Sequence, residues 1–315
     1  MPAKGVDNVT LRWATRTKGD SGFVFVNNYE RSSTTDSSCC VNTMVDMEEV
    51  RLAITLNTTG KNLTVPHDTT DSVTVKSGIW FAWPINIPLL PANQTAFATA
   101  AGSVPRIVSA TAQLTTHATL EDGTGVLFFV ETVGVNAEVV LSLGDGATVS
   151  STPGCSASTD DGDTVLRSIK AATSAFAVLS IGATTVKLVL LPADHADRIF
   201  KIADSGRVLI AGDGGVDGGL QTQLLMEELP TGEIQVRTAL ESTEIWACPP
   251  LSTTKGTTDG VFQKYSVLRT TQTPTDTNSS IRPCFGSIYD AGILGYVGTP
   301  SSHRSQRSLY RRQHS

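Results

Sequence analysis

Three adjacent pairs of identical acids are the first candidates for chemistry: Glu48-Glu49, Asp160-Asp161 and Glu227-Glu228. A retaining glycoside hydrolase needs two carboxyl groups about 5–5.5 Å apart. Neighbours on a strand point to opposite faces, so adjacency does not make a catalytic pair, and all three read as solvated surface charge. The five histidines, His67, His117, His195, His303 and His314, sit in no HExxH, and no GxSxG accompanies them. Zinc and serine hydrolase chemistry therefore lack support. No GxxxxGK[ST] phosphate loop occurs either. The cysteines, Cys39, Cys40, Cys155, Cys248 and Cys284, are odd in number and show no CxxC spacing, so no metal site is expected. Cys39 and Cys40 are too close in the chain for an ordinary mutual bridge. That leaves room for one long-range disulfide whose partners the sequence does not name.

Two acid- or glycine-rich stretches add little. Thr159–Asp163 (TDDGD) lacks EF-hand spacing and the terminal Glu, and reads as a solvated loop. Gly212–Gly219 (GDGGVDGG) has the look of one calcium-roll repeat, but such rolls need stacked copies, so a tight hairpin turn is expected. Trp13, Trp80, Trp83 and Trp246 could stack on sugar rings; with aromatics at 6% they are expected in the core. The sequence thus offers no catalytic residue, no cofactor-binding residue and no metal ligand. The chemistry with the best support is glycosylation. The acceptor pattern N-x-[ST] occurs at Asn8, Asn57, Asn62, Asn93 and Asn278, where about two would arise by chance. This excess predicts an extracellular parent protein. Met1 is followed by no apolar signal region, so the natural N-terminus is expected upstream of it.

Positioning any such group falls to strands. The chain has 315 residues, 40% of them hydrophobic, enough to bury a core. Charged residues are only 17%, against about 25% in an average globular protein. Ser, Thr and Gly replace the strong helix formers. Short apolar runs separated by turns recur every ~8–12 residues, the signature of an antiparallel sandwich. Among them are Gly22–Asn28, Ile79–Trp83, Gly125–Val130, Ala175–Ile181 and Thr185–Leu191. Ile107–Leu120 reads as one long stretch of mixed Ala and Thr. Pro192–Lys201 has a helix-opening Pro and helical spacing, and predicts the clearest helix. Ser150–Asp163 reads as a linker or long loop. The expected fold class is all-β: antiparallel β-sandwich domains with one or two short helices and no (β/α)8 barrel. The expected domains are residues 1–150, residues 151–285, and a basic disordered tail at 286–315.

Net charge is −6; the last fifteen residues contribute +4 and the other 300 contribute −10. Four charges without a second basic patch would hold nucleic acid weakly, so no nucleic-acid partner is expected. No apolar run reaches ~18 residues, so no membrane-spanning helix is expected.

Several stretches resemble glycoside hydrolase family 35, the β-galactosidases. Leu11–Ala14 (LRWA) followed by Ser21–Arg31 (SGFVFVNNYER) is similar to the family's LRWA…SGFLFVNNHQR stretch, which follows the catalytic barrel. Trp80–Asn86 (WFAWPIN) is similar to its WP(F/V)N strand. Ser109–Leu114 (SATAQL) matches its WATAQ element, with Ser where Trp or Tyr is common. Val126–Glu131 (VLFFVE) is similar to the next strand, and the match continues weakly through Val186–Arg198 and Gly206–Ile210. The resemblance spans roughly residues 8–215 and implies a region after the barrel. In that family both catalytic glutamates lie on the barrel, which needs about 250 residues of alternating strand and helix. No residue here inherits a catalytic role.

The leading expectation is a non-catalytic β fragment of a β-galactosidase-like hydrolase. The full enzyme would remove terminal non-reducing β-galactose with retention. Its partners would be the parent's catalytic barrel and, through the full enzyme, galactoside glycans. The alternative is a stand-alone carbohydrate-binding or structural β-sandwich module, which for binding needs a row of exposed aromatics or a polar cleft.

Overall fold

The computed structural model describes residues 10–29, 31–32, 41–42, 44–56, 58–67, 72–89, 104–196, 198–202, 206–211, 225–228, 234–237, 242–250 and 256–268. Alternating β-branched and aromatic residues make strands throughout. The first are β1 (Arg12–Lys18), β2 (Ser21–Asn27), β3 (Arg31–Ser32), β4 (Val41–Asn42), β5 (Met47–Val50), β6 (Leu52–Thr55), β7 (Asn62–Val65), β8 (Val73–Val75) and β9 (Trp80–Pro88). Next come β10 (Arg106–Ala110), β11 (Gln113–Thr119), β12 (Gly125–Val130), β13 (Val139–Ser142), β14 (Ala147–Ser151), β15 (Ser156–Asp160), β16 (Asp163–Arg167), β17 (Ala175–Ile181) and β18 (Thr184–Leu191). The last are β19 (Ile199–Lys201), β20 (Val208–Ala211), β21 (Leu225–Glu228), β22 (Ile234–Arg237), β23 (Ser242–Cys248), β24 (Thr257–Asp259) and β25 (Phe262–Leu268).

Three sheets carry the architecture. Seven strands run β1-β2-β9-β10-β13-β16-β15, five run β11-β12-β18-β17-β14, and five run β19-β20-β23-β25-β24. Among the described residues the ladders are antiparallel, except that β12 pairs in parallel with β18. The core clusters fix how the sheets stack. Phe23, Ile107 and Leu141 of the first sheet pack with Phe129, Leu179 and Leu188 of the second. The first sheet's other face, with Val24, Trp83 and Val140, packs on Met47, Leu52, Leu63 and Val75 from β5–β8. The second sheet's other face, with Val126, Phe128 and Val189, packs on Val208, Ile210 and Phe262 of the third.

Both inner sheets are therefore covered on two faces. A strand buried on both faces has no polar side, which is why β12 reads GVLFFV without alternation. Phe128 fills one interface and Phe129 the other. The all-β sandwich expectation holds.

Three local expectations change. Pro192–Lys201 is not a helix: a 3-10 turn covers Ala193–His195, and Ile199–Lys201 is a strand paired with Val208–Ile210. One turn of helical spacing does not outweigh the ladder to β20, and Ile199 packs on the apolar cluster there. Ser150–Asp163 is not a linker either. It holds the end of β14 and the β15–β16 hairpin, in which Asp160 faces Asp163. The two turn residues, Asp161 (φ 47) and Gly162 (φ 81), supply the left-handed pair that a two-residue hairpin requires. Finally, Ile107–Leu120 is two strands in different sheets, with the chain crossing at Thr111-Ala112 between β10 and β11.

The expected boundary at 150/151 falls inside the first two sheets. There β16 pairs with β13, and β17 and β18 complete the sheet of β12 and β14. Only strands from Ile199 onward build the third sheet. Residues 1–9, 212–224 and 269–315, including the expected tail and the Gly212–Gly219 turn, lie outside the described residues.

Candidate functional site

The crossing from β10 to β11 is held by hydrogen bonds that also fix a buried carboxylate. Thr111 Oγ1 donates to the Asn136 carbonyl at 2.7 Å and accepts the Glu138 N–H at 2.8 Å. The Thr111 N–H donates to the Glu138 carbonyl at 3.0 Å. Glu138 is thereby locked at the start of β13 with its side chain only 8% exposed. One carboxylate oxygen accepts the backbone N–H of His67 at 2.7 Å, and the other accepts Arg167 Nε at 2.9 Å. A buried carboxylate is tolerable only with such partners.

This pair lies on the wall of a cleft of about 450 Å³. The cleft is built by β8, by the loop leading into β13, and by the chain leaving β16. Ser72, Thr74, Asn136 and Ser168 bring polar atoms to it; Val135 and Ile169 bring aliphatic surface. Ser168 adopts φ 53, a left-handed conformation uncommon outside glycine. Beside the cleft, the β15–β16 hairpin is tied to the residues on either side of β7. Asp163 meets Lys61 Nζ at 3.3 Å, and Asp160 meets His67 Nε2 at 3.1 Å. The TDDGD stretch, expected as a solvated loop, thus spends Asp163 on an ion pair with Lys61 and Asp160 on a hydrogen-bond contact with His67. No group of three metal-ligating side chains occurs among the described residues.

Glu138 and Arg167 were not legible as a pair in the sequence, because 29 positions separate them and no motif joins them. The one local signal is a Glu between Ala137 and Val139 at the head of an apolar strand. Such a residue must face solvent or find a partner.

The other sequence candidates scatter. Glu48 and Glu49 are both exposed at β5, and Asp161 is exposed at the hairpin tip. The side chains of Glu227 and Glu228 lie outside the description, as do His303 and His314. His195 Nδ1 lies 3.0 Å from Asp194 Oδ1, and Arg198 joins the same carboxylate at 2.9 Å. The hydrogen bond from His195 and the nearby charges hold the Asp194 carboxyl below the usual range. The thiols of Cys155 and Cys248 are free, not bridged. Burial pushes Cys248 up to about 12 and raises Cys155, so neither is a ready nucleophile. Cys39, Cys40 and Cys284 lie outside the described residues. Of the tryptophans, Trp83 is fully buried as expected, whereas Trp13 is 43% exposed on the edge strand β1. Trp80 and Trp246 are half-buried; Trp246 donates to Asp259 at 3.0 Å and lies under Lys264.

Of the glycosylation candidates, Asn8, Asn57, Asn93 and Asn278 lie outside the described residues. Asn62 is exposed at the start of β7, where its Oδ1 accepts Thr55 Oγ1 at 2.7 Å. Thr64, the sequon's third residue, shares its strand face by the two-residue period.

His117 and Lys201 meet where β11 approaches β19. Lys201 Nζ lies 3.4 Å from Nε2 and 3.5 Å from Nδ1 of the ring. Burial, then the lysine's charge, lowers His117 to about 4. Burial also lowers Lys201. The folded state therefore binds a proton at His117 less readily than the unfolded chain does, whose histidine titrates near 6.5. Stability from this group is fully present above pH ~6.5 and is lost as pH falls toward ~4. The expected loss is about 1–2 kcal/mol, less than the full linkage because the ring is only half-buried. Urea unfolding from pH 7 to pH 4 reads it, and His117→Gln is expected to flatten that limb of the profile.

As chemistry, the cleft offers a carboxylate already occupied by donors, compensated charge and several hydroxyl and amide groups. Those are features for holding a polar molecule. Compared with known proteins, the chain matches no family model and no curated protein.

Proposed function

We propose that this chain is a non-catalytic β-sandwich scaffold, the region that follows the barrel in a retaining β-galactosidase-like hydrolase. The observation that carries the reading is spatial. The stronger of the stretches that resemble family 35 are dispersed in sequence, yet they fall on neighbouring strands. Leu11–Ala14, Ser21–Asn28 and Trp80–Asn86 supply β1, β2 and β9, consecutive at one side of the seven-stranded sheet. Ser109–Leu114 spans the end of β10, which pairs with β9, and the crossing to β11. Its Gln113 Oε1 accepts the Ala82 N–H of β9 at 3.2 Å. The weaker stretches continue beyond this sheet, Val126–Glu131 and Val186–Leu191 onto β12 and β18 of the second and Gly206–Ile210 onto β20 of the third.

In this reading the sheets buttress an extracellular parent's barrel, and galactoside glycans are reached through that parent. The alternative of a module that binds sugar by an aromatic row gains nothing from the exposed aromatics among the described residues. Trp13 lies on the first sheet and Phe200 on the third. The test joins two measurements. The purified chain is expected to leave a chromogenic β-galactoside unhydrolysed. The sequence upstream of Met1 at its source locus is expected to encode, in frame, a (β/α)8 barrel with two suitably placed glutamates. Turnover by the chain alone, or an upstream region without a barrel, would overturn the reading.

A further inference from the structure

The cleft beside Glu138 has no part in the scaffold reading. We propose that it binds a small neutral polyol, of the class of mono- and disaccharides, as a site separate from any catalytic barrel. The proposal goes beyond the scaffold reading and does not depend on it.

Size is the first argument. A volume of about 450 Å³ falls within the ~300–1,000 Å³ of small-molecule sites. Charge is the second. Glu138 is paired with Arg167, and beside the cleft Asp163 is paired with Lys61. Among the described residues the charged groups that line the cleft, Glu138 and Arg167, thus compensate each other, which favours a neutral ligand over an ionic one. The third is the chemistry of the walls. Ser72, Thr74, Asn136 and Ser168 can each donate and accept, while Val135 and Ile169 offer aliphatic surface. A sugar presents the complementary surface, a rim of hydroxyls and a face of C–H groups.

The fourth argument is preorganisation. Glu138 is held by Thr111, His67 and Arg167 before any ligand arrives. A wall fixed in this way needs no ordering when a ligand arrives, which lowers the cost of binding. At the lip, Ser168 is kept in a left-handed conformation (φ 53), and such strain is retained where surrounding structure over-determines it. Among the described residues no aromatic ring lines the cleft. Stacking is therefore absent, and the expected dissociation constant is about 1 mM.

The experiment is saturation-transfer NMR on the full chain with galactose, lactose and glucose, and with galacturonate and glucosamine as charged contrasts. The neutral sugars are expected to give saturable signals, and the charged ones severalfold weaker binding. Thr74→Trp, which fills the cleft, is expected to weaken binding at least about tenfold. Asn136→Ala, at an exposed position, is expected to weaken it severalfold with an unchanged melting temperature. Trp13→Ala is expected to change nothing. The proposal is overturned if no neutral sugar saturates at tens of millimolar. It is overturned equally if neither cleft variant alters binding, or if Trp13→Ala alone abolishes it. Sugar binding without preference for galactose upholds the cleft and leaves the galactosidase reading to its own test. Failure of the galactosidase assay likewise leaves the cleft standing.

Discussion

Trp83→Ala is expected to lower the unfolding free energy by about 4 kcal/mol, measured by urea denaturation followed by circular dichroism. Trp83 is fully buried in the middle of β9, opposite Val24 of β2. Its ring centroid lies 4.4 Å from that of Phe81. Its Nε1 donates to Thr132 Oγ1 at 2.9 Å, joining the first sheet to the loop after β12. Truncation removes the buried surface, leaves a cavity and strands a buried hydroxyl, and all three effects have the same sign. Trp83→Phe keeps most of the apolar surface but not the N–H, and is expected to cost about 1–2 kcal/mol. Trp13→Ala is the control. At 43% exposure on an edge strand, its expected cost is within about 0.5 kcal/mol of zero. Equal costs for Trp13→Ala and Trp83→Ala would contradict the stacking of β5–β8 on the first sheet.

The contrast between those two tryptophans shows what a sequence can and cannot carry. Strand identity was legible because it is local. GVLFFV and AFAVLSI match β12 and β17 residue for residue. Sheet membership was not local. Nothing around Trp13 says that β1 is an outer strand while β9 is an inner one, and so all four tryptophans read as core. The same limit hid the true extent of the first two sheets. The turn-rich run after Ser150 has the composition of a linker, yet its hairpin closes one side of the first sheet. The helix expected at 192–201 failed for a related reason, since its partner strand β20 decides its conformation. The candidate site was the least legible part. Glu138 and Arg167 are brought together by the pairing of β13 with β16, and His67 lies 71 positions from Glu138.

Arg167→Met tests that assembly most sharply, and is expected to cost about 2–3 kcal/mol. The usual cost of stranding one partner of a buried pair is about 3–5 kcal/mol. The lower figure applies here because the arginine side is 31% exposed, while the glutamate side is 8% exposed. After the substitution Glu138 retains the His67 N–H but loses its charged partner. Glu138→Leu in the same background removes the stranded charge, and the double variant is expected to recover at least half of the loss. A double-mutant cycle should then give a coupling of about 1–2 kcal/mol, whereas independent packing effects would add without coupling. The location of the pair makes this more than a local effect. Glu138 is bonded to Thr111, where the chain leaves the first sheet for the second. Arg167 ends β16, the strand that joins β13 to the outer hairpin. Weakening the pair should therefore loosen the crossing and the β15–β16 hairpin together. Hydrogen exchange on the amides of Thr111 and Leu166 is expected to accelerate in Arg167→Met and to slow again in the double variant.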